Sequence, residues 1–218
     1  MQEQFGKLEQ FFSQFRQIHY KKHALLMRAD DIPSGVYYLY KGYARYYSLS
    51  EAGQELSYII VKPQDIFPVI WAITDSSNTQ YCEAMTDIEV SRAPKDEFVE
   101  FLRKNPDLLY EVFRKMLVRF EGVLDRMAYM VFGNAYQKVA SILVICAERF
   151  GIKKGDKIII RVPLTHQDIA NLIGLTRETT SVEIKKLEKL KIYSKKGSFI
   201  SVRNLEKLKK EAKWSKFV

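Results

Sequence analysis

Cysteine is scarce in this sequence, with only Cys82 and Cys146 in 218 residues. Two thiols far apart and outside any metal-type spacing exclude a disulfide scaffold and fit a reducing cytoplasm. Long apolar runs are missing too. The longest, around Ser141–Ala147, is about seven residues, far below the length of a membrane span. The opening stretch, MQEQFGKLEQFFSQFRQIHY, is an amphipathic helix studded with charges and lacks the pattern of a secretory leader. A cytoplasmic protein with no membrane partner is the expectation. The sequence has no P-loop, no Gly-x-Ser-x-Gly elbow, no His-Glu-x-x-His and no Gly-x-Gly-x-x-Gly. No catalytic residue, metal site or cofactor is therefore expected. Internal repeats and low-complexity linkers are also absent. With 47% hydrophobic residues the chain is not disordered, and its length suffices for two domains with separate cores.

What the chain does have is unevenly placed positive charge. The net charge is +9, yet the first 133 residues carry 16 Lys+Arg and 18 Asp+Glu, whereas the remainder carries 19 and 8. Basic charge confined to one domain is the footprint of phosphate binding.

Residues 163–193, PLTHQDIANLIGLTRETTSVEIKKLEKLKIY, lie inside that basic region. Thr165 can cap a helix, with Asp168 reaching back three residues later. Ile169, Leu172 and Ile173 share one face of it, and Ala170 is small enough to admit a neighbouring helix. Gly174 supplies the reversal, Thr176 caps a second helix, and Ile184, Leu187 and Leu190 mark its buried stripe. Two short helices joined at a glycine form a helix-turn-helix, whose second helix enters the DNA major groove by its N-terminal residues. The polar start Arg177, Glu178, Thr179, Thr180 and Ser181 suits a groove better than a core. After it, Ile192-Tyr193-Ser194 and Phe199-Ile200-Ser201-Val202 alternate around Lys195-Lys196-Gly197-Ser198, a β-hairpin wing with a basic tip. Asn204 caps a last helix from Leu205 to about Lys213.

The N-terminal half is β-rich. His19–Met27, Tyr37–Lys41, Tyr43–Leu49 and Gln54–Val61 are short segments separated by turn clusters, with further candidates at Ile66–Ala72, Gln80–Met85 and Glu89–Arg92. Such close spacing indicates a small antiparallel barrel or jelly roll. Between the halves, after Asn105-Pro106, apolar residues recur at Leu109, Phe113, Met116, Phe120, Val123, Met127 and Met130, spaced 4, 3, 4, 3, 4 and 3. That is the a/d seam of a two-stranded coiled coil, sustained for about three heptads. Val112, Leu117 and Leu124 broaden it toward the chain's own barrel. The helix should end at Phe132-Gly133-Asn134, where Asn134 caps the next, Ala135–Phe150. A homodimer would present paired recognition helices to a palindromic site.

In this order of parts the chain resembles the Crp/Fnr family of bacterial transcription regulators. The resemblance covers nearly the whole chain. Its most specific segments are THQDIANLIGLTRETTSVEIKKL (165–187), GVYYLYKGYARYY (35–47) and PQDIF (63–67). It implies an α+β chain with a cyclic-nucleotide-binding-like β-roll (1–106), a dimerisation helix (107–133) and a winged helix-turn-helix DNA-binding domain (134–218). It also implies base-edge roles for Arg177 on guanine and Glu178 on cytosine. Ser181 matches a position that often contacts DNA. Thr165, His166 and Gln167 match residues that hold phosphate. Many relatives carry a second Arg where Val182 stands. Val182 can touch a thymine methyl but cannot bond guanine, so the half-site should differ from the commonest one. Glu183 stands where many relatives are apolar. Thr180, Lys195 and Lys196 complete the expected DNA-contacting set. RNA polymerase is among the partners that the resemblance admits.

The effector is less legible. Where nucleotide-binding relatives carry a Glu and an Arg for ribose and phosphate, this chain has Val69 and Asn78, and Val123 and Leu124 replace the residues that grip the base. Two cysteines are too few for an iron–sulfur cluster. The segment that ligates haem in relatives is Pro68-Val69-Ile70-Trp71 here, and His19, His23 and His166 lie elsewhere. What remains is an apolar pocket of Val69, Ile70, Trp71, Tyr81, Val123, Leu124 and Met127, with Thr79 and Gln80 as polar handles, suited to a small apolar effector. A filled roll in a ligand-independent regulator is the alternative, and a small-molecule sensor acting through a protein partner is the rival from another class.

Overall fold

The computed structural model describes residues 2–213, which pack as two compact units, 2–50 with 58–118 and 51–57 with 119–213. Met1 of the predicted first helix and 214–218 of the predicted DNA-binding domain lie outside the described residues.

The first unit opens with α1 (Gln2–Ser13), followed by β1 (Gln17–Tyr20), β2 (Leu25–Met27), β3 (Val36–Lys41), β4 (Ala44–Leu49), β5 (Glu55–Val61, of which 55–57 belong to the second unit) and β6 (Ile66–Phe67). Then come α2 (Val69–Thr74), β7 (Tyr81–Ala84), β8 (Ile88–Ala93) and α3 (Lys95–Lys104). Two four-stranded sheets, in the orders β1-β8-β3-β6 and β2-β7-β4-β5, make the antiparallel roll. Strand β3 shows why its sequence, VYYLY, is apolar without interruption. Side chains alternate across a strand. Tyr37 and Leu39 enter the interior between the sheets, joining Tyr46, Phe67, Cys82 and Val90. Val36 and Tyr38 enter an outer cluster with Leu8, Phe12, Phe98, Leu102, Leu108 and Val112. Both faces of β3 are therefore buried, with Tyr37 stacked on Phe67 at 5.4 Å and Phe12 on Tyr38 at 5.4 Å.

Three sequence-based expectations change here. The predicted strand Ile66–Ala72 is two residues of β6 followed by a helix, because Val69 and Ala72 are buried while Ile70 and Ile73 are exposed, a three-residue period. The predicted strand His19–Met27 divides into β1 and β2 at a turn where His23 has φ 69°. Helix α3 was not anticipated; Phe98 and Leu102, four residues apart, are its buried face.

Helix α4 (Pro106–Phe132) starts and ends where the sequence predicts. Its first half belongs to the first unit and its second half to the second. The second unit continues with α5 (Ala135–Phe150), whose N-terminus is fixed by a reciprocal cap. Asn134 Oδ1 accepts from Gln137 N at 3.0 Å, and Asn134 N donates to Gln137 Oε1 at 3.1 Å. There follow β9 (Gly151–Lys154), β10 (Lys157–Ile160), α6 (His166–Ile173), α7 (Arg177–Lys189), β11 (Tyr193–Lys196), β12 (Phe199–Val202) and α8 (Leu205–Glu211). The sheet order is β11-β12-β10-β9, so the wing extends a hairpin, β9–β10, that the sequence reading missed. The chain is α+β, with an N-terminal antiparallel β-roll, a long helix and a C-terminal winged helix-turn-helix, as its sequence predicts. Among the described residues no helix is long and apolar enough to cross a membrane.

Candidate nucleic-acid interface

The helix pair is set by side chains at its own ends. Thr165 Oγ1 accepts from Asp168 N at 3.0 Å, while Thr165 N and Oγ1 donate to Asp168 Oδ2 at 2.7 and 2.6 Å. At the other end of α6, Gly174 takes φ 63°, a conformation that strains any residue carrying a Cβ. Two residues later Thr176 Oγ1 accepts from Thr179 N at 3.1 Å and starts α7.

Helix periodicity then divides α7. Thr180, Glu183, Ile184 and Leu187 are buried. Arg177, Glu178, Val182, Lys185 and Lys189 are exposed, with 178, 182, 185 and 189 forming one stripe. Thr180 is therefore not available to DNA, contrary to the sequence-based expectation. It lies four residues before Ile184, on the core side. Leu190 is also displaced from its predicted role; it is the C-cap and is 41% exposed. Glu183 occupies the buried face with its carboxylate beside the Lys186 ammonium at 2.6 Å. Lys185 was not singled out from the sequence, although its spacing of three from Val182 places it on the exposed stripe.

Ser181 is half-buried at the α6–α7 contact. His166 Nδ1 lies 2.8 Å from its Oγ. Burial holds His166 below the usual histidine pKa, reinforced by the cations Lys195, Arg177 and Lys185 and opposed by Glu188. With the imidazole neutral, Nδ1 can accept from Ser181 while Nε2 carries the proton. Gln167 is exposed and donates from Nε2 to Asn171 Oδ1 at 2.7 Å. Thr165 has its hydroxyl and amide both engaged by Asp168, so its contribution is to hold the start of α6.

Lys195 and Lys196 lie in β11 and not in the turn, which is Gly197-Ser198 alone with φ 60° at Gly197. A two-residue turn matches the twist of its strands, and this one takes the tip away from the lysines. Lys195 Nζ donates to the Leu164 carbonyl at 3.0 Å. Lys196 is exposed and pairs across the hairpin with Phe199, itself 50% exposed.

The residues expected to line an effector pocket lie in different surroundings. Val69 is in the outer cluster, with Trp71 packed against it, and neither is in the roll interior. Lys95 Nζ sits 5.3 Å from the centre of the Trp71 ring. Ile70 and Thr79 are exposed, Gln80 O accepts from Asn78 Nδ2 at 3.0 Å, and Tyr81 stacks on Tyr47 at 5.2 Å. On α4, Leu109, Phe113, Leu117, Phe120, Leu124 and Met127 are exposed, and Met116, Val123 and Met130 are half-buried. Val112 turns into the outer cluster, whereas Leu117 and Leu124 do not. Among the described residues no group of three or more His, Cys, Asp or Glu is placed to hold a metal ion.

A Crp-like helix-turn-helix domain is matched by residues 137–211 and a cyclic nucleotide-binding domain by residues 17–105. The chain belongs to the Crp/Fnr family. It is 26% identical over 180 residues to the global nitrogen regulator of Nostoc sp. strain PCC 7120, covering 80% of this chain and 79% of the relative. It has the fold of a CooA mutant from Carboxydothermus hydrogenoformans, with a TM-score of 0.76 at 23% identity over 93% of this chain and 90% of the other. FixK2 from Bradyrhizobium japonicum gives a TM-score of 0.76 at 21% identity, over 90% and 96% of the two chains. At this level the Crp/Fnr assignment makes the chain a DNA-binding transcription regulator.

Proposed function

We propose that this Crp/Fnr protein is a sequence-specific, non-catalytic regulator that binds a palindromic duplex site as a homodimer. The observation that carries the reading is the outer stripe of α7. Arg177, Glu178 and Val182 are exposed at its N-terminal end, above a core of Ile184 and Leu187. In this reading Arg177 bonds guanine O6 and N7, Glu178 accepts from cytosine N4, and Val182 meets a thymine methyl. Ser181 stands beside them, oriented by His166. His166 Nε2, Gln167, Lys195 and Lys196 hold backbone phosphate, which positions the helix without reading sequence.

The dimer is proposed through α4. Leu109, Phe113, Phe120 and Met127 are 39, 56, 59 and 56% exposed, a row of large apolar side chains at heptad spacing. Apolar rows of that extent mark interaction sites. We assign 1–106 to the sensor roll, 107–133 to the dimerisation helix and 134–218 to the DNA-binding domain. The protein would act in the cytoplasm, through contact with RNA polymerase.

A specific packing feature favours the ligand-independent form over gating by a small apolar effector. Tyr37, Tyr46, Phe67 and Cys82 occupy the interior between the two sheets, with Tyr46 edge-on to Phe67 at 6.2 Å. The test is selection of bound sequences from a random duplex library by purified protein with no ligand added. A palindromic consensus with half-sites about one helical turn apart supports the whole reading. Salt-sensitive binding without enrichment overturns ligand independence. Binding that ignores salt overturns the DNA-binding reading and favours a protein-partner sensor.

A further inference from the structure

His166, the first residue of α6, is half-buried among groups that compete over its proton. From α7, Ser181 Oγ lies 2.8 Å from Nδ1, and Arg177, Lys185 and Glu188 bring charge to the ring. From β11 comes Lys195, whose Nζ is anchored on the Leu164 carbonyl at 3.0 Å, just before the start of α6. On the helix of His166 itself, the Asp168 carboxylate accepts from Thr165 N and Oγ1 and serves the cap. Burial is the first influence that keeps the ring neutral in the free protein. The three cations add to it, and Glu188 opposes them.

Duplex DNA reverses that balance. A phosphate held by His166 brings a negative charge to the ring, and neighbouring phosphates offset the repulsion from Lys195, Arg177 and Lys185. Protonation need not break the helix pair, because a hydroxyl both donates and accepts. Ser181 can donate to a neutral Nδ1 and accept from a protonated one across the same 2.8 Å. An Arg or Lys in this place would be charged throughout, whereas a histidine titrates near neutral pH. The chain has three histidines, and the other two, His19 and His23, belong to the first unit.

We propose that His166 is a proton-coupled phosphate contact, which takes up one proton per protomer as DNA is bound, so that affinity rises as pH falls. The inference rests on the reading of His166 as a phosphate-holding residue. A group that holds its proton more tightly in the complex than in the free protein strengthens binding as pH falls between its two pKa values. Outside that window it leaves affinity unchanged.

The test is binding of the full chain to one fixed duplex of the selected sequence at constant salt, from pH 8 down to pH 5. Thermal unfolding checks that each variant is folded at each pH. An adjacent opposite charge raises a pKa by about one unit, so the parent should bind about tenfold tighter per protomer at the acid end. His166→Gln cannot take up the proton and should vary far less with pH. His166→Arg, charged throughout, should bind tightly over the whole range. In the parent alone, acidification should steepen the slope of log affinity against log salt by about one per protomer, the mark of an added phosphate contact. A histidine that only supported the fold would leave that slope unchanged. A parent whose affinity is as flat with pH as that of His166→Gln overturns the proposal, as does a pH dependence that His166→Gln retains. Binding that ignores salt at every pH overturns the phosphate reading along with it, whereas salt-sensitive binding that is flat with pH overturns the proton coupling alone.

Discussion

His166 and Ser181 are joined across the helix pair by a contact of 2.8 Å between Nδ1 and Oγ. The bond ties the first turn of α6 to the exposed side of α7, and it requires an accepting, hence unprotonated, Nδ1 if the serine donates. Burial, the largest influence, depresses the His166 pKa, and three nearby cations act in the same direction. In the unfolded chain the imidazole titrates near about 6.5. Between that value and its lower folded value the unfolded state binds more protons, so this histidine's contribution to stability is present above about pH 6.5 and lost as pH falls. The thermal midpoint should therefore drop more between pH 7.5 and 5 in the parent than in His166→Gln. Parallel pH curves would remove His166 from the acid response.

Arg177→Ala should cost about 1–3 kcal/mol on a selected site and little on random duplex. Competition binding with both duplexes measures it. Equal losses would make Arg177 a phosphate contact.

Thr180 offers the opposite case on the same helix. Its side chain is fully buried and its hydroxyl has no hydrogen-bond partner among the described residues. Thr180→Val replaces that hydroxyl with a methyl of similar size, so stability should rise by about 1 kcal/mol while DNA affinity is unchanged. Lost affinity in a folded variant would return Thr180 to the binding surface.

Phe120→Glu puts a charge in the middle of the exposed row on α4 and should leave monomers in sedimentation. An intact dimer would move the interface elsewhere.

At Gly174 the only atom of the described residues near an added Cβ is Met130 Cε at 3.5 Å, so space is not the obstacle. The cost of Gly174→Ala comes from φ 63° and should be about 1–2 kcal/mol in thermal unfolding.

The parts legible in the sequence are those written in local rules. The caps at Thr165, Thr176 and Asn134 and the turn at Gly174 involve residues within a few positions of one another. So do the two ends of α4, and all fall where the sequence predicts. Errors arise where one local pattern serves two structures. Val69–Ile73 is apolar enough for a strand and is a helix, and Thr180 looks like a groove residue until the buried stripe of α7 is phased by Ile184 and Leu187. The β9–β10 hairpin was hidden because Lys153, Lys154 and Lys157 dilute its apolar residues. The hydrogen bonds that run from Gln167 through Asn171 to Glu55 join residues more than a hundred positions apart, and no local signal predicts them.

Cys82 and Cys146 are 0 and 1% exposed. Burial raises both thiols, Cys146 to about 12, so neither is ionised at neutral pH. Oxidants and alkylating reagents should thus pass the folded protein by. A single cysteine placed on its surface would be the one reactive thiol, and spectroscopic labels could be attached at chosen positions without first removing the native pair.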